Sequence, residues 1–143
     1  MIVNTAYIYM GSGGGGGTPV NPNLWQDGVS NYPVVFSNSS ISSAGLQMNP
    51  KGSYATFSEL PLSDFNSLTL SATATGVFSD FQIHIEFFNS AGQSLATVTA
   101  KFPKSGGSQT VNVPSSAKIE NAKIKITNKS TMATITIQSA LLS

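Results

Sequence analysis

The chain has 143 residues, no Cys, and a formal net charge of +1, with only 9% of its residues charged. That length suits one domain around a single core, and the lack of Cys excludes a disulfide framework or a thiolate metal site. Charged residues make up about a quarter of ordinary soluble domains, so here Ser, Thr and Asn must carry solubility, and a strongly basic or acidic binding field is excluded.

The N-terminal stretch MIVNTAYIYMG lacks the cationic start and continuous apolar core of a secretory signal, and no run approaches the roughly 18 apolar residues of a membrane span. The expectation is a protein made in a cytoplasm, with no membrane partner. Residues 2 to 9 have the β-branched and aromatic content of a strand without clean alternation. Gly11-Ser12 and the run Gly13, Gly14, Gly15, Gly16 and Gly17 follow, then Thr18, Pro19 and Pro22. Such a run is ordinarily a flexible linker. Ordering it costs on the order of 1–2 kcal/mol per residue, so if it is ordered something packs against it, and a neighbouring subunit is the simplest candidate. Residues 1–22, with Tyr7, Tyr9 and Gly13 to Gly17, are therefore read as an assembly arm, and 23–143 as the domain body.

From residue 24 onward, short apolar runs are separated by turn clusters, the pattern of a sandwich or barrel. Asn23-Leu24-Trp25 leads into Gly28; Pro33 to Phe36 reads as a short strand, and Ser37 to Ser43 as a polar loop. The runs Leu46-Gln47-Met48 and Tyr54 to Phe57 flank Asn49-Pro50-Lys51-Gly52, whose turn chemistry predicts a hairpin. Residues 61–66 read as one helical turn or a crossing between sheets.

Alternation becomes strict at Leu68. Leu68, Leu70, Ala72 and Ala74 face one way against Thr69, Ser71, Thr73 and Thr75. FQIHIEFF repeats the pattern with Phe81, Ile83, Ile85 and Phe87 inward, and Asn89-Ser90-Ala91-Gly92 closes a hairpin onto a strand burying Ala96, Val98, Ala100 and Phe102. After a turn at 103–107 come Val111 and Val113, then Ala122, Ile124 and Ile126 alternating with Lys123, Lys125 and Thr127, and finally Ile135 and Ile137. About eight or nine strands at a spacing near ten residues predict an all-β fold, a two-sheet antiparallel jelly-roll sandwich with an extended N-terminal arm.

Residues 68–142, through FFNSAGQSLATVTAKF, VNVP, AKIKITN and TITIQSALL, resemble the galactose-binding-like jelly rolls found in carbohydrate-binding modules. The opening AYIYMGSGGGGG and the following NPNLWQDG are similar in style to small virion proteins of tailed bacteriophages, in which an N-terminal arm docks into the particle and a β-sandwich is displayed. These resemblances imply a non-enzymatic structural protein of a phage particle (head decoration, neck or tail), with other virion proteins and further copies of itself as partners. The virion is then its location, and host-surface glycan is a further target. The alternative is a carbohydrate-binding module for cell-surface or cell-wall polysaccharide. Calcium commonly accompanies such jelly rolls, but the scattered single acids here define no site.

The residues themselves offer little catalysis: one His, no Arg and six carboxylates. His84 and Glu86 share the outward face of one strand, either as a His-carboxylate contact or as two solvated residues. Asp64 and Asp80 bracket a strand as a nominal glycosidase pair. No zinc motif or phosphate-binding loop is present, because the glycine run lacks a Gly-Lys-Ser/Thr ending, and no cofactor is expected.

Residues 1 to 100 hold one Lys against five acids, and 101 to 143 hold six Lys against one acid. Interleaving of the two parts in space cancels this. Without Arg, nucleic-acid tracking is not expected. The Lys123 and Lys125 row reads as a solubilising or edge-protecting feature, or as a contact for an acidic subunit or an anionic wall polymer. Sugar recognition needs a ring platform beside directional polar groups. The candidates are Trp25, Tyr32 and Tyr54 with Asp27, near Asn23, Gln26 and Asn31, if their loops meet at one end of the sandwich; a lone Trp in a small β domain is more often a core plug, and Trp25 carries that reading too.

Overall fold

The computed structural model describes residues 20–143. The arm residues named above, Tyr7, Tyr9 and Gly13 to Gly17, lie outside the described residues, as does the strand expected at 2 to 9. Twelve strands follow in order: β1 (Trp25–Gln26), β2 (Val29–Ser30), β3 (Val34–Ser37), β4 (Ser39–Ser42), β5 (Gly45–Met48), β6 (Ser53–Leu60), β7 (Ser67–Thr75), β8 (Phe81–Phe88), β9 (Ser94–Phe102), β10 (Gly107–Asn112), β11 (Ala122–Asn128) and β12 (Thr134–Leu142). Single helical turns at Leu62–Asp64 and Ser115–Ala117 complete the described elements.

Ten strands form two five-stranded antiparallel sheets. The front sheet has the order β3-β6-β11-β8-β9 and the back sheet β10-β7-β12-β5-β4, while β1 and β2 make a separate ribbon. This is the two-sheet jelly-roll sandwich that the alternation predicts. Leu68, Leu70 and Ala72 of the back sheet and Ile83, Ile85, Phe87, Ile124 and Ile126 of the front sheet are buried together in one core. The hairpin between β8 and β9 forms as expected, with Gly92 at φ 87 in its turn.

Two local expectations are overturned. Ser37 to Ser43 is not a loop: Ser39–Ser42 pairs with β5 as an edge strand, Ser39 opposite Met48 and Ile41 opposite Leu46. Its serines alternate with one apolar residue, a pattern too sparse to read as a strand until β5 supplies the ladder. Nor is Asn49 to Gly52 a hairpin, since β5 pairs with β12 in the back sheet and β6 with β11 in the front. The segment is a corner between sheets, with Lys51 and Gly52 at φ 75 and 85.

Asn128 holds that corner. It is fully buried, and its amide nitrogen donates to the carbonyls of Met48 (3.1 Å), Asn49 (3.1 Å) and Ala133 (2.8 Å). Its side-chain oxygen accepts from the Ser130 amide at 3.0 Å. One side chain on the front sheet thus satisfies carbonyls at the ends of back-sheet strands, groups that would be costly to bury unpaired.

Residues 22–24 complete the back sheet. The Leu142 amide donates to the Pro22 carbonyl at 2.7 Å, Leu24 donates to Ala140 at 3.0 Å, and Asn23 bridges Leu141. The chain therefore enters the body beside its own C-terminal strand.

Candidate functional site

Trp25, Tyr32, Asp27 and Tyr54 do not converge. Trp25 is 4% exposed and stacks on Phe57 with ring centroids 5.7 Å apart. Its indole N–H donates to the carbonyl of Gln138, the residue where β12 shifts register against β7. Of the two sequence readings, the core plug is the one the structure contains, and burial removes Trp25 as an open platform. Tyr32 packs partly against the core and donates its hydroxyl to the Asn21 carbonyl at 2.6 Å. Asp27 is exposed at φ 54 in the tight β1–β2 turn. Asn31 donates to the Asn23 carbonyl at 3.0 Å, so it braces the same ribbon. Only Tyr54 stands on an open sheet face.

That face is the outside of the front sheet, and strand register places its side chains in rows. One row runs Ser37, Tyr54, Thr127, His84, Thr99; the next runs Val35, Thr56, Lys125, Glu86, Thr97. Beyond these, Lys123 lies opposite Phe88, and Gln82 opposite Lys101. The Lys125 ammonium sits 4.2 Å from the centroid of the Tyr54 ring. They are diagonal neighbours on adjacent strands, close enough for a cation–π contact that fixes both. Phe88 is half-buried beside this group.

His84 and Glu86 share the face but turn to different partners on β9. His84 Nδ1 lies 3.5 Å from the Thr99 hydroxyl, and Glu86 accepts from Ser94 at 2.7 Å. The His-carboxylate contact does not form. Partial burial, assisted by the charge of Lys129, holds the His84 imidazole below its usual pKa and so favours the neutral ring. A neutral ring can both donate and accept.

Lys123 and Lys125 lie on β11, the central strand of the front sheet, so they protect no sheet edge. They make this face basic at its middle, with Glu86 as the facing acid. Asp64 lies in the turn before β7 and Asp80 after its far end. Nine strand residues put them roughly 30 Å apart, beyond the range in which two carboxylates flank one glycosidic bond. Among the described residues no group of three His, Cys, Asp or Glu is placed to hold a metal ion.

Tyr54 stands beside the Lys123 and Lys125 row rather than beside Trp25, Tyr32 and Asp27. What joins them is strand order: period-two alternation places Lys125 outward, but only the pairing of β6 with β11 puts it against Tyr54.

No protein-family model matches the sequence, and no curated protein matches it. Among solved structures the fold is similar to a carbohydrate-binding module of family 28 specific for non-crystalline cellulose, at 12% identity and a TM-score of 0.55, over 89% of this chain and 95% of that one. It is also similar to part of an agarase, AgWH50C, at 14% identity and a TM-score of 0.53, over 85% of this chain and 24% of the agarase. The enzymatically active domain of tailspike protein 4 of bacteriophage CBA120 matches at 16% identity and a TM-score of 0.44, over 78% of this chain and 18% of the tailspike chain; so loose a superposition ties the chain to no phage particle. In the two longer proteins the likeness spans a quarter of the chain or less. At these identities it is a likeness of fold, and by fold the chain is a jelly-roll β-sandwich with carbohydrate-binding modules among its structural neighbours.

Proposed function

We propose that the chain is a carbohydrate-binding module that takes a cell-surface or cell-wall polysaccharide on the outer face of its front sheet. The observation that carries this reading is the Tyr54 ring with the Lys125 ammonium at 4.2 Å, set among Thr56, Thr127, His84 and Glu86 on one open face. A ring offers a stacking surface to the CH face of a sugar, and hydroxyl, imidazole and carboxylate groups around it supply directional partners. The central lysines favour a polymer carrying carboxylate or phosphate groups. The fold likeness to a module specific for non-crystalline cellulose supports the same reading.

Affinity electrophoresis against neutral and acidic polysaccharides tests it. The wild-type chain should be retarded by at least one acidic polymer, and Tyr54→Ala should lose that retardation with its far-ultraviolet circular dichroism unchanged. Retardation by no polymer, or equal retardation of both proteins, rejects the reading.

The particle-component reading, in which residues 1–22 dock the body to a larger assembly, is compatible with this one. It is favoured by the place where the chain enters the body: Pro22 lies beside Leu142 in the back sheet, so anchoring from there leaves the front face outward. Crosslinking within an intact particle is its test, and a chain found only free in solution counts against it.

A further inference from the structure

Each five-stranded sheet has two edges, and an edge strand offers unpaired N–H and C=O groups to any chain that can reach them. Three of the four edges here are obstructed. β3 has four residues and follows Pro33. β4 has four residues and lies against the β1–β2 turn, where a Cβ on Gly28 would come within 3.3 Å of Ser42. β9 carries Lys101 and a register shift against β8. β10 is different. It runs six residues, GSQTVN, in unbroken register with β7, with no charge, no Pro and no bulge. Among the described residues, no backbone group outside β7 bonds to it.

We infer that β10 is a self-association edge, where a second copy of this chain pairs antiparallel through its own β10 and joins the two back sheets into one of ten strands. A two-fold axis requires an edge to be complementary to itself. A strand of neutral residues meets that requirement without like-charge repulsion, and its hydroxyl and amide groups can each donate or accept. Register is restricted further, because residues directly opposite across an antiparallel pair lie on the same face of the sheet. Ser108, Thr110 and Asn112 point outward, opposite the outward Ser71, Thr69 and Ser67 of β7. The axis therefore passes through a residue, and centring it on Thr110 engages the strand from Ser108 to Asn112. Thr110 then faces Thr110 of the partner subunit, and Ser108 faces Asn112 of the partner subunit. The contact is small beside a standard protein interface, so association is weak and concentration-dependent.

The chain contains no Cys, so one introduced thiol reports the register directly. Opposed residues in an antiparallel pair have Cα atoms about 4.5–5.5 Å apart, within the span of a disulfide. Thr110→Cys should give a covalent dimer under mild oxidation. Ser108→Cys should not, because its symmetry mate lies four residues along, roughly 13 Å away. Sedimentation of the unmodified full chain at high micromolar concentration should show reversible dimer, and Thr110→Lys, which sets like charges opposite each other, should weaken association by up to about fivefold with unchanged circular dichroism. A monomer at every concentration, whether residues 1–19 or nothing covers the edge, overturns the inference. So does crosslinking of Ser108→Cys as readily as Thr110→Cys, or a dimer indifferent to Thr110→Lys.

Discussion

The two sheets share one core and differ on their outer faces. The strands of the back sheet contain no charged residue at all, whereas those of the front sheet carry Glu59, Glu86, Lys101, Lys123 and Lys125 together with His84. On the back face the hydroxyls bond to one another: Thr69 to Thr110 and Ser71 to Ser108 at 2.7 Å, and Gln138 to Thr73 at 2.9 Å. On the front face polar groups are interleaved with rings and charges. Both sheets bury alternate residues of their long strands in that one core, so the core places no demand that separates them. The difference therefore lies on the links from sequence to surface and from surface to function, since every charge carried by the described strands falls in the front sheet.

The largest expected effect comes from the residue that joins the sheets. Asn128→Ala leaves the buried carbonyls of Met48 and Ala133 and the part-buried carbonyl of Asn49 short of a donor, and the Ser130 amide short of its acceptor. A loss of about 3 kcal/mol follows from unsatisfied buried groups, or roughly 10 °C in the thermal midpoint for a domain of this size. Asn128→Asp should be at least as harmful, since a carboxylate cannot donate to three carbonyls. Differential scanning calorimetry checks both; if the two sheets were independently stable, each variant would show two transitions where one is expected here.

A smaller effect, confined to the back sheet, is expected at Gly45. It sits at φ 117 where β4 turns into β5, and a Cβ there would run into the Ile137 carbonyl on β12. Gly45→Ala should cost about 1–3 kcal/mol, the scale of backbone strain at such positions. Hydrogen exchange localises it: amides of β5 and β12 should lose protection while those of β8 and β11 keep theirs. Equal loss across both sheets would remove the distinction between them.

The sequence made the core legible and the neighbours illegible, for a physical reason. Alternation is local, so Leu68, Ile83, Ile124 and Ile135 declare their inward direction within a few residues. Turn residues are local too, but they announce a reversal without saying whether the chain returns to the same sheet; Asn49 to Gly52 has hairpin chemistry and makes a corner because β12 and β11 compete for β5 and β6. β4 was hidden because three of its four residues are Ser. At the candidate site, Tyr54 is nameable as an aromatic and Lys125 as part of a row, yet their contact comes from the pairing of two strands distant in sequence, and Trp25 stacks in the core on Phe57, a partnership no spacing reveals.

Lys125→Ala addresses the front sheet alone. A cation–π contact at an exposed site is worth about 0.5–1 kcal/mol, so the thermal midpoint should fall only slightly. Binding to an acidic polysaccharide should fall more than stability does, since the substitution removes a charge from the middle of the proposed face. Isothermal titration against paired neutral and acidic polymers measures the two contributions. Loss of stability without loss of affinity would assign Lys125 to the scaffold.

The smallest expected effect is the most selective, because the back-sheet strands contain no titratable side chain to produce it. The His84 imidazole is held below its ordinary pKa first by partial burial and then by the charge of Lys129. The folded chain therefore binds fewer protons at this site than the unfolded chain wherever the pH lies between the lowered folded value and the unfolded value of about 6.5. Stability rises with pH through that window and is lost as pH falls through it. Above it the imidazole is neutral in both states, and His84 contributes no further slope. Replacing it by Gln, which keeps a hydrogen-bonding side chain opposite Thr99 without a titrating ring, should flatten the dependence of the thermal midpoint on pH over that interval. An unchanged slope in His84→Gln would mean that His84 does not set the response of the fold over that interval.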